Sequence, residues 1–409
     1  MNRVLVLGGG AAGMMAAIFA ARAGAETTLL EPNERLGKKL NITGKGRCNV
    51  TNDSACDELI AHVFRNAKFL YSSFSCWDGR DTIAFFESLG VPLKVERGKR
   101  VYPVSDRSFD VSAALERELK RLNVRVIRDR AEALTVRDGR VSGAKGGRER
   151  YGADAVVVAT GGVSYPATGS TGDGYRFAKQ VGHTVVTPRA SLVPLESADP
   201  DCAAMQGLSL RNVTLTVKNQ KGKVIFEELG ELLFTHFGVS GPLVLSASAH
   251  MRDFERDSYR LVIDLKPALD EKTLDERLLR DFAARSNQDF ANVLGGLVPR
   301  SMIPVIVRRT DIPAAEKAHS ITKRQRRRLL ETLKAFSVSV TGPRGVEEAV
   351  VTSGGVRVGE VDPNTMASKL VPGLYFAGEV LDVDACTGGF NLQIAWATGR
   401  AAGEAAAKQ

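Results

Sequence analysis

The chain of 409 residues is too long for one ordinary hydrophobic core, so we expect two or three domains. Its 44% hydrophobic and 25% charged residues are typical of a globular protein, and no uninterrupted apolar stretch in the sequence reaches membrane-spanning length. Five scattered cysteines, with no C-x-x-C pair and no metal-ligand spacing, argue against a dithiol reductase and against a metal site.

The net charge of +9 is compatible with an anionic cofactor, an anionic substrate or RNA, and it does not choose among them. The first predicted strand begins within three residues of Met1, which leaves no room for a signal or transit peptide. We therefore expect a cytoplasmic protein with no membrane partner. The sequence gives no indication of an oligomeric state.

A unit of strand, turn, helix and strand opens the chain, from Val4 to Glu31. Four apolar residues predict a buried first strand, and an alanine-rich stretch predicts a helix that stops at Gly24, a natural C-cap residue. A second strand is predicted over 27–30 and ends on the acid Glu31. This order is typical of a dinucleotide-binding unit.

Three glycines, Gly8, Gly10 and Gly13, match G-x-G-x-x-G between the first strand and the helix. Gly8 permits the tight turn, Gly10 lets the backbone approach a pyrophosphate, and Gly13 lets helix and strand pack closely. The helix N-terminus offers unpaired N–H groups to the phosphates, and the Glu31 carboxylate can accept hydrogen bonds from an adenosine ribose. No second G-x-G-x-x-G follows a predicted strand in this sequence, so we predict one dinucleotide site.

The next segment, 32–52, contains three glycines and five Lys or Arg residues but little apolar periodicity. In a nicotinamide dehydrogenase the second strand normally runs into an ordinary helix. A basic glycine loop at this place therefore favours a flavin dinucleotide. The alternative is a solvated basic loop.

The sequence from 58 to 162 alternates helical and extended patterns. They predict, in chain order, helix over 58–90, an extended piece over 97–105, an amphipathic helix over 108–122, a strand over 124–127, an antiparallel meander over 131–151 and a buried strand over 155–159. This order is typical of flavin-binding domains of the two-dinucleotide-fold type.

From about residue 190 the pattern changes to alternating β segments and then to helices. We predict an inserted domain over 191–337, which separates a first part of the binding domain, 1–190, from a second part, 338–409. Its basic run KRQRRR, at 323–328, opens a helix. A solvated helix face is the expected role of this run, and a contact with RNA or an acidic partner is the alternative.

The last segment returns to the first domain. Gly373–Glu379 predicts a short strand that ends in a glycine and an acid, and 388–407 predicts a final helix that starts at glycines. Within this helix Gly399 and Gly403 lack side chains, which allows close approach of another element.

Five segments together resemble the BaiN-like flavoproteins, FAD-dependent oxidoreductases often labelled as an aminoacetone oxidase family. They are the first fingerprint, LGKKLNITGKGRCNVTN, ATGGVSYPATGSTGDGY, LLFTHFGVSGP and GLYFAGEVLDVDACTGGFNLQIAWATGRAAG. The resemblance implies an α/β fold: a Rossmann-like FAD-binding domain of the two-dinucleotide-fold type, interrupted by an inserted β-barrel-like plus helical domain, with no separate NAD(P)H domain. One departure is Ala385-Cys386-Thr387, where many members carry a glycine after the second aspartate.

The resemblance also implies cofactor-binding residues. They are Gly8, Gly10, Ala11, Ala12 and Gly13 at the pyrophosphate; Glu31 at the adenosine ribose; Lys38, Lys39, Thr43, Gly44, Arg47, Cys48 and Asn49 along the basic loop; Thr160, Gly161 and Asp173 in the ATGG and TGDG segments; Gly378 and Glu379 at the ribitol and phosphate; and the amides of Gly389, Phe390, Asn391 and Leu392 at N1 and O2 of the ring. A helix N-terminus aimed at N1 would raise the reduction potential of the flavin. For Asp173, an ordinary turn before a helix is the alternative.

Three residues are candidates for catalysis, because hydride transfer to a flavin needs positioning and removal of one substrate proton. His236 lies in a loop of the inserted domain, and its alternative is a histidine satisfied by backbone groups. Arg100 and Tyr102 are suited to binding a carboxylate or carbonyl group, and a structural pair is the alternative. Cys48 is a weaker candidate for a redox role, since free cysteines are usually inert core residues.

We therefore expect non-covalent FAD and a small-molecule substrate. Without a second fingerprint, NAD(P)H would act as a transient electron donor at the flavin face, compete with the substrate and give ping-pong kinetics. Two alternatives stay open: a flavin-dependent reductase acting on an RNA base, and a non-catalytic flavin-binding sensor.

Overall fold

The computed structural model describes residues 2–251 and 253–409. The chain divides into two compact units, one of Met1–Ser191 with Val346–Gln409 and one of Leu192–Gly345. The predicted return to the first domain at residue 338 differs from the structure. The reason is that the strand at 336–340 pairs within the sheet of the second unit, so the chain leaves that unit only after residue 345.

The elements are numbered in chain order. The strands of the described residues are β1 (Arg3–Leu7), β2 (Glu26–Leu30), β3 (Thr51–Asn52), β4 (Leu93–Glu96), β5 (Arg100–Pro103), β6 (Arg125–Ile127), β7 (Ala131–Arg137), β8 (Arg140–Gly146), β9 (Arg150–Gly152), β10 (Ala155–Val158), β11 (Val185–Ser191), β12 (Leu195–Glu196), β13 (Ser209–Asn219), β14 (Val224–Thr235), β15 (Gly238–Ser240), β16 (Tyr259–Asp264), β17 (Phe336–Val340), β18 (Gly342–Pro343), β19 (Val351–Val356) and β20 (Leu374–Phe376). The α-helices are α1 (Ala11–Arg22), α2 (Cys56–Ala61), α3 (Tyr71–Cys76), α4 (Gly79–Ser88), α5 (Ser108–Arg121), α6 (Asp173–Gln180), α7 (Pro200–Ala204), α8 (Pro242–Ser248), α9 (Glu271–Ala284), α10 (Phe290–Leu294), α11 (Ile303–Thr310), α12 (Lys323–Lys334) and α13 (Phe390–Ala407).

A five-stranded parallel sheet forms the centre of the first unit, in the order β20-β10-β1-β2-β6. Its central strands are continuous apolar runs because both faces of the sheet are covered, and Val157 of β10 pairs with Val6 of β1 inside this core. The predicted strands at 27–30, 124–127 and 155–159, the predicted helix at 108–122 and the predicted meander, now β7–β8–β9, are confirmed.

Helices α1 and α13 pack against each other in parallel. A Cβ placed on Gly399 would lie 2.5 Å from the carbonyl oxygen of Ala12, and one on Gly403 would lie 2.2 Å from that of Ala16. Because both contacts advance by one helical turn in the same direction, the helices run side by side in register. This close approach was predicted from the two glycines.

The stretch 58–90, predicted as helical, is divided into α2, a 3-10 turn, α3 and α4. Two local features explain the interruptions. Asn66 has a left-handed backbone with φ 55°, which no α-helix continues, and Asp78 forms a capping box with Asp81 that starts α4 anew.

The second unit contains a seven-stranded antiparallel sheet in the order β17-β16-β13-β14-β15-β12-β18. The two edge strands, β17 and β18, are separated in the chain by Thr341 alone. The sheet must therefore curl until its edges meet, which gives the predicted barrel-like form. Helices α9, α11 and α12 complete the core of this unit with buried leucine, isoleucine and phenylalanine side chains.

The basic run forms the first half of α12, which begins at a capping box between Thr322 and Gln325. Arg326 binds Asp275 at 2.7 Å, Arg327 binds both Glu271 and Glu331, and Arg328 lies 3.5 Å from Asp311. Nearby carboxylates thus pair with three of the five basic residues of the run. Among the described residues, no helix is both long enough and apolar enough to cross a membrane.

Candidate functional site

Three glycine segments lie at the carboxyl edge of the parallel sheet. Gly8 follows β1, Gly161 lies just beyond β10, and Gly378 follows β20, and these three strands are neighbours. Strand β2 lies on one side of β1, and β10, which comes later in the chain, lies on its other side. The direction in which strands are added to the sheet therefore reverses at β1. In open parallel sheets, ligands bind in the crevice outside such a reversal.

The three fingerprint glycines have different surroundings. A Cβ on Gly8, which has φ 103°, would lie 2.6 Å from the carbonyl oxygen of Ala159, and a Cβ on Gly13 would lie 1.8 Å from that of Gly8. A Cβ on Gly10 would meet nothing within 4 Å. The protein itself requires Gly8 and Gly13, whereas the space beside Gly10 is free for a ligand at the start of α1. No side chain caps this helix at Ala11 and Ala12.

Glu31 follows β2 and is only 8% exposed. Its Oε2 accepts a hydrogen bond from the backbone N–H of Gly9 at 2.7 Å, and its Oε1 accepts from Asn33 through the backbone N–H and the side-chain amide. These bonds orient the carboxylate toward the glycine turn. Its remaining lone pairs are able to accept from hydroxyl groups such as those of a ribose.

The loop Thr43–Asn49 holds a strained backbone. Gly44, Lys45 and Gly46 are left-handed in succession, and Cys48 is left-handed again with φ 59°. Non-glycine residues keep such conformations only where their surroundings impose them, which is common at ligand sites. Asn49 Oδ1 is buried and has no hydrogen-bond partner among the described residues, so a polar ligand atom would satisfy it.

Two residues of this loop have contacts that limit their roles. Cys48 is fully buried, and burial raises the pKa of its thiol to about 12, which supports the inert alternative over a redox role. Arg47 binds Glu96 at 2.5 Å and Asp106 at 2.6 Å, and its guanidinium lies 4.1 Å from the centre of the Tyr102 ring. The charge of Arg47 is therefore balanced by these carboxylates.

Lys39 and Glu379 form a partly buried ion pair, with 2.7 Å between Nζ and Oε2. Ser164 joins them, since Lys39 Nζ lies 2.5 Å from Ser164 Oγ and this hydroxyl donates to Glu379 Oε1. The backbone N–H of Thr352 also donates to Oε1 at 2.9 Å. Burial alone would raise the pKa of Glu379, but Lys39 and the hydrogen bonds outweigh it and hold the pKa below its usual range. We call these four residues the Lys39 cluster.

The N-terminus of α13 is fixed from several sides but has no side-chain cap. Gly389, with φ 99°, lies so close to Thr51 that a Cβ would be 2.3 Å from its carbonyl carbon. The Asn391 amide binds the backbone of Ala385 and Cys386. The N–H groups of Phe390, Asn391 and Leu392 are thus the uncapped positive end of an 18-residue helix.

The uncapped N-termini of α1 and α13 lie at different positions along the direction that the two helices share. Because Ala12 is level with Gly399, the parallel helix α13 begins about eight residues, or about 12 Å, before α1 does. A ligand that lies along this edge therefore meets the N-terminus of α1 near the middle of the ligand. It meets the N-terminus of α13 about 12 Å farther from the sheet.

The remaining predicted residues lie in varied places. Arg100 is exposed, and its Nε lies 3.7 Å from where a Cβ on Gly388 would be, beside the start of α13. Tyr102 is buried under Arg47 and is not free to bind a substrate, so for Tyr102 the structural alternative is supported. His236 is exposed at the turn between β14 and β15 of the second unit.

Asp173 begins α6, and its carboxylate binds Arg130 at 2.7 Å and Arg176 at 3.3 Å. Its neighbour Gly174 packs against Thr160, whose Oγ1 is buried and has no hydrogen-bond partner within the described chain. Lys38 is exposed, and Thr43 Oγ1 donates to the carbonyl of Leu40. The role of these residues at a cofactor stays a prediction.

Sequence reasoning missed three polar residues of this site. Ser164 and Thr352 complete the Lys39 cluster, and His62 stacks on Phe390 with 4.3 Å between ring centres and 8° between ring planes. Ser164 lies within a segment that was singled out for its glycines. No local sequence pattern identifies Thr352 or His62, because the residues that they contact at this site, Glu379 and Phe390, are distant in the chain.

FAD fits the residues present. The free space beside Gly10, the two uncapped helix ends and the unpartnered oxygens of Asn49 and Thr160 provide room for a pyrophosphate and polar atoms for a ring.

Comparisons with known proteins cover the whole chain. The family described as HI0933-like protein Rossmann domain matches residues 2–405. A 3-dehydro-bile acid delta(4,6)-reductase of Clostridium scindens is 34% identical over 100% of both chains, and a ribosomal RNA dihydrouridine synthase of Escherichia coli is 32% identical over 96% of this chain and 95% of its own. A 3-ketosteroid delta1-dehydrogenase structure from Sterolibacterium denitrificans has a TM-score of 0.54 over 100% of both chains at 13% identity, which shows the fold.

Proposed function

The chain belongs to the HI0933-like family and is a flavin-dependent oxidoreductase, and we propose that it binds FAD non-covalently and reduces a carbon–carbon double bond conjugated to a carbonyl group. The substrate is a small molecule, and electrons arrive from NAD(P)H or another transient donor.

One observation carries the flavin proposal: the offset of about 12 Å between the N-termini of two helices packed in register. A pyrophosphate belongs at the nearer end, beside Gly10, where no protein atom lies. The ring belongs at the farther end, beside Gly389, where a second set of N–H groups is free. A flavin mononucleotide has the same span from phosphate to ring, so the carboxylate of Glu31, placed beside the glycine turn for a second ribose, is what favours the dinucleotide.

The cofactor-binding residues follow from this arrangement. Gly10, Ala11 and Ala12 would hold the pyrophosphate, Glu31 the ribose, and Asn49 with Phe390 and Asn391 the ring. Lys39 and Glu379 neutralise each other and would hold the two loops together, with one N–H of Lys39 left for the ligand. Bound FAD, once reduced by the electron donor, would supply the hydride.

The names of two relatives share one chemistry, which suggests the reaction class. A delta(4,6)-reductase of a 3-dehydro bile acid reduces double bonds conjugated to a carbonyl group, and dihydrouridine is uridine with its conjugated double bond reduced. Such a reaction needs a hydride, a proton and a donor that binds the carbonyl oxygen. Arg100, exposed beside the start of α13, is the donor that we propose, and the catalytic role of His236, which belongs to the second unit, stays a prediction from the sequence.

A small molecule is favoured over RNA by the ion pairs of α12. Arg326, Arg327 and Arg328 each face a carboxylate, so the basic run is not an uncompensated patch. Reduction of an RNA base is the second candidate, supported by the 32% identical relative and the net charge of +9. A non-catalytic sensor receives no support from these relatives, both of which are named as enzymes.

The test begins with the purified protein, which is expected to be yellow and to release FAD on denaturation. The reduced protein is then mixed anaerobically with a 4,6-dien-3-one steroid or with uridine-containing ribosomal RNA, and reoxidation of the flavin is recorded near its visible maximum. Rapid reoxidation by the dienone and not by RNA supports the proposal. Reoxidation by RNA alone selects the second candidate, and a protein without FAD refutes both.

The role of α12 is tested separately. Alanine replacement of Arg324, Arg326, Arg327 and Arg328 is expected to leave dienone reduction unchanged. A salt-dependent retention on RNA that disappears in this variant would instead favour the RNA candidate.

A further inference from the structure

His62 lies at the start of α13 although no sequence motif marks it. Its ring is parallel to that of Phe390, the first residue of the helix, at 4.3 Å between centres. Backbone contacts hold the segment that carries His62 against the chain just before α13. The N–H of Cys386 donates to the carbonyl of His62 at 2.9 Å, and Val63 forms an antiparallel β-bridge with Ala385. The imidazole is therefore held at the helix N-terminus by both backbone and side chain.

The two nitrogens of His62 differ in their contacts. Nδ1 lies 2.7 Å from the carbonyl oxygen of Glu58, so this nitrogen carries a hydrogen and donates it. Nε2 is then the nitrogen at which a proton is gained or lost. A neutral ring has a lone pair there, and a protonated ring has an N–H donor and a positive charge.

The charged groups around His62 are mostly paired. Glu58 binds Lys99 at 2.6 Å, and Arg65 binds Asp382 at 2.9 Å. Arg100 is a further cation here, with its Nε beside Gly388. The start of α13 therefore combines a helix N-terminus, one arginine and one imidazole able to take up a proton, with no unbalanced carboxylate among these neighbours.

We propose, on the basis of the proposed function, that His62 is a positioning residue of the flavin site that stabilises the reduced cofactor. Reduction adds negative charge at the end of the ring that α13 faces. An imidazole at that end balances the charge by holding a proton at Nε2, and the stack on Phe390 keeps it there. Oxidised FAD carries no such charge and gains much less from His62.

The test compares binding of the two redox states in His62→Phe, which keeps a flat ring on Phe390 but removes both nitrogens. Binding of oxidised FAD is expected to change less than twofold, while reduced FAD binds about tenfold more weakly. For a two-electron couple this ratio lowers the midpoint potential by about 30 mV. The potential is measured by equilibration with a reference dye, without any substrate.

Two further variants keep the outcome interpretable. His319→Phe is the control, because Nδ1 of His319 also lies 2.8 Å from a backbone carbonyl, that of Ser286, but this histidine belongs to the second unit. Its potential is expected to equal that of the wild type. His62→Gln provides a polar side chain that exchanges no proton, and it is expected to lower the potential as His62→Phe does.

An unchanged potential in the folded His62→Phe and His62→Gln variants would overturn the role of His62 and leave the proposed function intact. Equal weakening of oxidised and reduced FAD would also overturn it, because that result indicates a merely structural contact. A wild-type protein that binds no FAD would overturn the proposed function, and this inference with it.

Discussion

Lys39 Nζ lies 2.7 Å from Glu379 Oε2, although 340 positions separate the two residues in the chain. This pair connects the basic loop after β2 to the turn after β20. Ser164 and Thr352 add hydrogen bonds to the same carboxylate, so four separate segments of the first unit meet at Glu379. The contact explains why a lysine predicted to face the cofactor also contributes to the fold.

Replacing Lys39 with Met leaves the Glu379 carboxylate without its counterion in a partly buried place. We expect the free energy of unfolding to fall by about 3 kcal/mol, measured by urea denaturation without FAD. The control is Lys38→Met, since Lys38 is exposed and its loss is expected to cost less than about 0.5 kcal/mol. Equal effects of the two variants would contradict the structural role of the Lys39 cluster.

Gly10→Val separates cofactor binding from folding. A side chain at this position meets no protein atom within 4 Å, so the variant is expected to melt at the temperature of the wild-type apoprotein while binding no FAD. Circular dichroism measures the first property and visible absorbance the second. Gly13→Ala is the contrasting variant: its Cβ would lie 1.8 Å from a carbonyl oxygen, and we expect insoluble or unfolded protein. A yellow, stable Gly10→Val protein would refute the place given to the pyrophosphate.

The buried Glu118 predicts a loss of stability in acid. A hydrogen bond from Arg121, opposed by burial and reinforced by Arg22, lowers the pKa of Glu118 to about 2. Because the folded-state pKa is depressed, the stabilisation is complete above the unfolded value near 4.5 and is lost as the pH falls toward 2. Urea unfolding at pH 6, 4 and 3 measures this loss.

The variant Glu118→Gln is expected to be less stable than the wild type at pH 6 and to show a shallower decline between pH 4.5 and 3. Other carboxylates keep some slope in both proteins. Parallel pH profiles of the two proteins would show that Glu118 is not a source of the acid sensitivity.

The single dinucleotide fingerprint predicts how the electron donor behaves. NAD(P)H would bind transiently at the flavin, in the place used by the second substrate, so its reduction of the flavin is expected to saturate weakly. Steady-state kinetics should then give parallel ping-pong lines with competition between donor and substrate. Tight, saturable reduction by NADPH through a ternary complex, seen by anaerobic stopped flow, would reveal a nicotinamide site built without the usual fingerprint.

The opening unit was predictable from sequence because its determinants are local. The run Val4–Leu7, the spacing of Gly8, Gly10 and Gly13, and the acid at Glu31 each reflect steric or packing needs within a few residues of the chain. The close packing of α13 on α1 was predictable for the same reason, since glycines spaced one turn apart indicate a smooth helix face.

Other features needed the tertiary structure. The second unit ends at residue 345 and not at 337 because β17 finds its partner in β16, more than 70 positions earlier. Arg47 was expected at the cofactor, but the fold brings Glu96 and Asp106 to it. A charged side chain binds whichever opposite charge the fold places nearest, and no local pattern records that choice.

The same distinction applies to the candidate site. The sequence alone predicted one dinucleotide site and the glycines that would line it, because backbone geometry is a local property. Only the tertiary structure decided that Lys39 meets Glu379, that His62 stacks on Phe390 and that α13 begins about 12 Å before α1. Those relationships depend on contacts between residues hundreds of positions apart, which form only when the hydrophobic core sets the register of its strands and helices.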